Sequence, residues 1–131
     1  MVKIIIASGP VIVENGKVLL NKHGEDMFWK FCGGKVEDYN TNLIDNARRE
    51  VKEEMGIDIE VIDRKPYIMH ITKKTPEGDM DIILVHFLAK RIGEIAQGSD
   101  IREWNWFDVG DLPEDVAPNI KPVINHFKDL L

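Results

Sequence analysis

Three glutamates carry the chemistry most readily read from this chain. Glu50, Glu53 and Glu54 stand in the run Arg49-Glu50-Val51-Lys52-Glu53-Glu54-Met55-Gly56, at relative positions i, i+3 and i+4. On a helix those spacings bring side chains onto one face. Carboxylates gathered in this way form the hard oxygen environment that Mg²⁺ prefers, with Mn²⁺ able to take its place. The pair Gly33-Gly34 precedes the run and supplies a tight turn ahead of it.

The element that must position these groups is a helix, and its geometry is self-consistent. At about 100° per residue, Leu43, Ile44, Ala47, Val51 and Met55 share one apolar arc. Asp45, Arg48 and Lys52 make a second arc with charges of opposite sign at helical spacing. Asn42, Asn46, Arg49, Glu50, Glu53 and Glu54 fill a third, and Glu54 overlaps the edge of the apolar stripe, a costly place for an unsatisfied charge. Glutamate also suits an ordinary solvated helix. Gly56, however, is a natural cap, so the glutamates crowd the negative end of the helix dipole. Each costs about 0.3–1 kcal/mol there. A bound cation reverses that sign, and the metal reading is the stronger one.

The segment Arg49-Glu50-Val51-Lys52-Glu53-Glu54-Met55-Gly56-Ile57 resembles the second half of the signature of the Nudix hydrolases, MutT-like proteins among them. That signature runs Gly, five residues, Glu, seven residues, then Arg-Glu-apolar-any-Glu-Glu-any-Gly-apolar. Its first half is altered. Counting back from Arg49 puts Lys35 where the glycine belongs and Thr41 where the early glutamate belongs. Gly33-Gly34 lies too early, so the loop carries a one-residue insertion, and Asp38-Tyr39-Asn40-Thr41 replaces the usual Gly-Glu. Asn40 and Thr41 can accept hydrogen bonds or cap the helix, and Glu37 or Asp38 is available to stand in for the missing charge.

The flanking sequence extends the resemblance over nearly the whole chain. Residues 2–23 read as two apolar strands joined at Glu14-Asn15-Gly16, a strong hairpin signal. Residues 57–63 alternate as an exposed strand. A hairpin is expected from Tyr67–Lys73 and Met80–Lys90 around Thr75-Pro76-Glu77-Gly78-Asp79, with a further strand at Glu103–Asp108. Ile120, Val123, Ile124, Phe127 and Leu130 recur at helical spacing within 118–131. Two helices among several strands predict an α+β class. The resemblance implies a Nudix-type α/β/α sandwich with a mixed sheet and a loop-helix-loop metal motif.

Length and composition agree with one domain over residues 1–131. The chain has 44% hydrophobic and 31% charged residues, as a globular domain does. No apolar run is long enough to span a membrane, and no cleavable leader is recognisable. One cysteine, Cys32, excludes an intrachain disulfide and fits a reducing, cytoplasmic setting. The formal net charge of −6, without a basic run, disfavours long nucleic acids and an RNA-decapping role.

The resemblance implies site residues beyond the helix. Glu103, ahead of Trp104-Asn105-Trp106-Phe107 and the later Leu112-Pro113, matches a region that in related enzymes contributes a metal carboxylate or base, with Asp100 in reserve; a charged strand edge is the competing reading. The metal set is then Gly33, through its carbonyl, with Glu50, Glu53, Glu54 and Glu103. The catalytic set is Arg49, Glu50, Glu53 and Glu103, with Arg49 orienting the carboxylates. Trp29, Phe31, Gly34 and Lys35 are the expected substrate contacts, Trp29 being the best placed aromatic for stacking on a base. Cys32 reads as a buried apolar residue, and His23, His70, His86 and His126 show no ligand spacing. The implied activity is Mg²⁺-dependent hydrolysis of a diphosphate linkage in a nucleoside diphosphate derivative, foremost a nucleoside triphosphate, oxidised forms included. ADP-ribose, nucleotide sugars and dinucleoside polyphosphates are the alternative substrates, and a non-cleaving nucleotide-binding module is the alternative class. The partner is a small nucleotide, and the protein is a monomer or a homodimer.

Overall fold

A computed structural model describes residues 3–131. Strands β1 (Lys3–Glu14) and β2 (Lys17–His23) form the first hairpin. Asn15 and Gly16 both take positive φ, 52° and 74°, as a two-residue turn between twisted strands requires. A two-residue strand, β3 (Gly34–Lys35), leads to helix α1 (Leu43–Met55). Then follow β4 (Asp58–Thr75), β5 (Gly78–Ile92), β6 (Ile101–Asp108), helix α2 (Ile120–Phe127) and a closing 3₁₀ turn at Lys128–Leu130.

The sheet is mixed, in the order β4-β5-β1-β2-β6, with β3 paired to β1 alone. Its centre is the parallel pairing of β1 with β5, running from Lys3↔Met80 to Ile12↔Ala89. Side chains alternate across that sheet. Val11, Val18, Leu20 and Leu88 face α2 and pack with Ile120, Val123, Ile124 and Phe127. Ile12, Leu19 and Ala89 face α1 and pack with Val51 and Met55. Two helices on opposite faces of one sheet give the expected α/β/α layering.

Three local readings need correction. The strand foreseen at residues 57–63 and the first arm of the later hairpin are one strand, β4. It stays paired to β5 through register irregularities between Val61 and Tyr67, which bend it without breaking it. The last helix is shorter than 118–131, ending at Phe127 and tightening into the 3₁₀ turn. The N-cap of α1 is Asn42, whose side chain accepts from the Asp45 N–H, and not Asn40 or Thr41. Those two are held by Asp38: its carboxylate accepts the Asn40 N–H at 2.9 Å and the Thr41 hydroxyl at 3.2 Å. Asp38 thus organises the altered loop locally.

Candidate active site

Helix α1 presents its glutamates to the glycine turn that follows the first hairpin. Gly56 ends the helix in the left-handed conformation at φ 69°, so Glu53 and Glu54 lie in its last turn. Glu54 is only 6% exposed, and its Oε1 accepts the Gly33 N–H at 2.7 Å. Gly33 has φ 140°, and a side chain there would meet the Ser8 carbonyl at 2.5 Å and the Gly9 Cα at 2.6 Å. Only glycine lets this amide reach the carboxylate. Gly34 lies against Glu50: a Cβ there would stand 2.5 Å from its Cδ and Oε2. Each glycine makes room for one carboxylate.

Arg49 ties the rest of the cluster together. Its Nη2 donates to Glu50 Oε1 at 2.9 Å and to Asn46 Oδ1 at 3.0 Å, while Nη1 donates to Glu53 Oε1 at 3.2 Å. A planar fork serves several acceptors at once in a way an ammonium does not. Asn46 is buried and donates to the Ser8 hydroxyl at 2.7 Å, fixing this face of α1 to β1. Burial pushes the Glu50 carboxyl above its ordinary pKa; Arg49 opposes the shift, and Glu54 and Glu53 add to it. A carboxylate of raised basicity is a better proton acceptor.

His23 joins the cluster, though nothing in its spacing announces it. Its Nε2 stands 2.5 Å from Glu54 Oε2, and that contact raises the imidazole pKa. Oε2 is buried and, among the described residues, has no partner besides this imidazole. Among the described residues no three carboxylate, thiol or imidazole groups converge on one point; the glutamates are spread between Arg49 and His23. A buried carboxylate oxygen met only by a partly exposed imidazole, beside two further carboxylates and a glycine cradle, is nevertheless a donor set suited to a hard divalent cation.

The other expected site residues are dispersed. Glu103 lies on β6 opposite Lys22, its carboxylate 4.0 Å from Lys22 Nζ and 3.5 Å from Arg102 Nη2, and it makes no ion pair with the helix. Asp100 lies just before β6, where its carbonyl accepts the Gly24 N–H. Trp29 sits edge-on to Phe107 with ring centroids 4.8 Å apart, beneath Lys22 Nζ at 4.7 Å. Its backbone is bonded to Asp115 and Ala117, so it closes the wall between the loop and the segment before α2. Phe31 is buried against His86. Lys35 is exposed on β3, paired with Ala7. Cys32 is buried, and burial followed by the Glu54 charge drives its thiol pKa well up, as an inert core residue requires. Sequence reasoning missed His23 and Ser8. Asn46, on the helix's third arc, was the one visible signal of the polar contact to β1.

Comparison with known proteins bears on the fold and the family. No functionally curated protein matches the sequence significantly. Among solved structures, a MutT NUDIX hydrolase from Burkholderia pseudomallei superimposes with TM-score 0.76 at 24% identity, over 94% of this chain and 97% of the other. A MutT protein from Methanosarcina mazei gives TM-score 0.75 at 22% identity, over 98% and 95%. An ADP-ribose pyrophosphatase from Streptococcus suis gives TM-score 0.61 at 26% identity, over 83% and 77%. These likenesses concern the fold. The model of the NUDIX domain matches residues 5–127, nearly the full length, and by that measure the chain belongs to the Nudix family.

Proposed function

We propose that this protein hydrolyses a diphosphate linkage in a nucleoside diphosphate derivative, with Mg²⁺ as cofactor and Mn²⁺ as substitute. A nucleoside triphosphate, canonical or oxidised, is the leading substrate. The observation that carries the reading is Glu54, a nearly buried carboxylate at the negative end of a helix, with one oxygen on the Gly33 amide and the other met only by the His23 imidazole. A structural ion pair does not need two more carboxylates and a turn that only glycine can make beside it.

Glu50, Glu53 and Glu54, with the Gly33 carbonyl, are the groups that would hold the cation. When bound there, a divalent ion supplies charge neutralisation and Lewis acidity to the diphosphate. The chain's own residues do the rest. Glu50, basic through burial, accepts the proton of the attacking water at Oε2, because Arg49 occupies Oε1. Arg49 bonds Glu50 and Glu53 at once and so orients both carboxylates. Glu103, carrying an exposed carboxylate next to Lys22 on β6, is the further carboxylate proposed for the metal or for the base. Trp29, Phe31, Gly34 and Lys35 are the proposed substrate contacts around the turn.

The test is Mg²⁺-dependent release of phosphate or pyrophosphate from canonical and oxidised nucleoside triphosphates, ADP-ribose, dinucleoside polyphosphates and nucleotide sugars. ADP-ribose has its own claim on the panel because one structural neighbour is an ADP-ribose pyrophosphatase. Glu53→Gln and Glu54→Gln are each expected to cut kcat by about 10²-fold or more in a folded protein. Near-normal turnover in both variants overturns the site assignment. Tight nucleotide binding without product on any substrate favours a binding module instead.

A further inference from the structure

The contact between His23 and Glu54 is built, not incidental. The β2–β6 ladder keeps register from Lys17↔Asp108 to Lys22↔Glu103 and then slips, so that His23 faces Ile101 and Arg102 is the extra residue. A bulge of this kind re-aims the side chains beside it. Arg102 uses the displacement to donate to the carbonyls of Gly24 and Asp26. Asp26 in turn accepts the His23 N–H at Oδ2, at 3.0 Å, and its Oδ1 takes Lys30 at 3.0 Å. The backbone of His23 is therefore fixed from both sides, and its ring is delivered to Glu54 Oε2.

Occupancy of the two oxygens of Glu54 is unequal. Oε1 is committed to the Gly33 amide, a bond that also defines the turn. Oε2 is the oxygen left for any other partner, and the imidazole stands on it. Arg49 gives its hydrogen bonds to Asn46, Glu50 and Glu53. His23 is thus the side chain that covers the free oxygen of the most buried of the three carboxylates. Its side chain is 40% exposed while that of Glu54 is 6% exposed, so the ring has solvent to turn into without disturbing the core.

We propose that His23 is a place-holder for the divalent cation: its imidazole covers Glu54 Oε2 in the metal-free protein and swings away when a cation takes that oxygen. The inference rests on the metal site of the proposed function. It assigns His23 a positioning role, keeping a buried carboxylate paired and its turn intact until the site is loaded. A ring that covers the oxygen in about nine molecules of ten lowers the apparent cation affinity about tenfold.

The test uses Mg²⁺ alone on the isotopically labelled full chain, followed by nuclear magnetic resonance. The Gly33 amide reports on Glu54, and the His23 ring reports on itself. Both are expected to shift with one midpoint, the ring moving towards the position of a free, solvated histidine. Calorimetry on His23→Ala should show Mg²⁺ binding about tenfold tighter than in the wild type. His23→Asn, too short to reach Glu54, is the second variant should the alanine chain fail to fold. A shifting Gly33 amide with an unmoved His23 ring, or equal or weaker Mg²⁺ binding in the folded variant, overturns the inference. If the wild type still hydrolyses its substrate, the proposed function survives that result. Absence of any Mg²⁺ response in the wild type overturns both.

Discussion

Gly34→Ala separates the proposed role of the carboxylate cluster from the fold more cleanly than any substitution of a glutamate. A Cβ at this position would lie 2.5 Å from both Cδ and Oε2 of Glu50 and 2.8 Å from Oε1. Contact without overlap begins at about 3.5 Å, so the carboxylate must retreat by about 1 Å. It can do so, because the atoms met are the end of a flexible side chain rather than backbone. Gly34 has no positive φ, so alanine is tolerated there and lowers the entropy of the unfolded chain by the equivalent of about 0.4–1 kcal/mol. The melting temperature should therefore hold or rise slightly. Turnover should not hold, since misplacing a reacting group by about 1 Å costs about 10²-fold. Gly33→Ala is the contrasting control. Its Cβ would meet the backbone of Ser8 and Gly9 at a φ that alanine rarely adopts, so stability and activity should fall together. The assay is steady-state hydrolysis at saturating Mg²⁺ on the best substrate of the panel, alongside thermal melts. Wild-type kcat in a stable Gly34→Ala protein would refute the claim that Glu50 works from its observed place.

Further outcomes follow from the same geometry. Arg49→Ala should lower kcat about 10–100-fold with little change in stability, because the arginine is half exposed and its ion pairs are weak in water. Arg49→Lys should not restore activity, since an ammonium does not reproduce the fork that meets Glu50, Glu53 and Asn46; full rescue in kinetic assays would contradict this role. Acid should destabilise the protein through His86, whose burial lowers its pKa from 6.5 to about 4. The unfolded chain takes the proton first, so stability is whole above about pH 6.5 and is lost as pH falls towards 4, by up to about 3 kcal/mol. Denaturant midpoints of wild type and His86→Gln across that range should converge in slope only if His86 is not the cause.

How much of this was legible depended on whether a contact is set by local geometry or by distant register. The period of a helix is fixed, so the arcs of α1 were readable, including the misfit of Glu54 at the edge of the apolar stripe. The structure explains that misfit: the residue is buried because Gly33 and His23 come to meet it. Asn15-Gly16 was readable for the same local reason. The joining of two foreseen strands into β4 was not, because pairing with β5 persists across the irregular stretch from Val61 to Tyr67, and no short window of sequence shows its partner. The cap was misread by a residue or two because Asn40, Thr41 and Asn42 are equally able to cap, and Asp38 decides among them by engaging the first two.

His23 marks the limit most clearly. It lies 31 residues before Glu54, on a strand, and alternation alone would place it by its neighbours. Its approach depends on a one-residue slip against β6, where Arg102 is accommodated by hydrogen bonds to a loop on the other side of the ladder. Residues that must be deprotonated and clustered to bind a cation are conspicuous in sequence because their density is costly without one. The groups that make that cost tolerable in the cation's absence are not conspicuous, since one suitably aimed donor suffices and many registers could aim it. The helix therefore announced the carboxylate cluster, and only the sheet could show that His23 meets its most buried member.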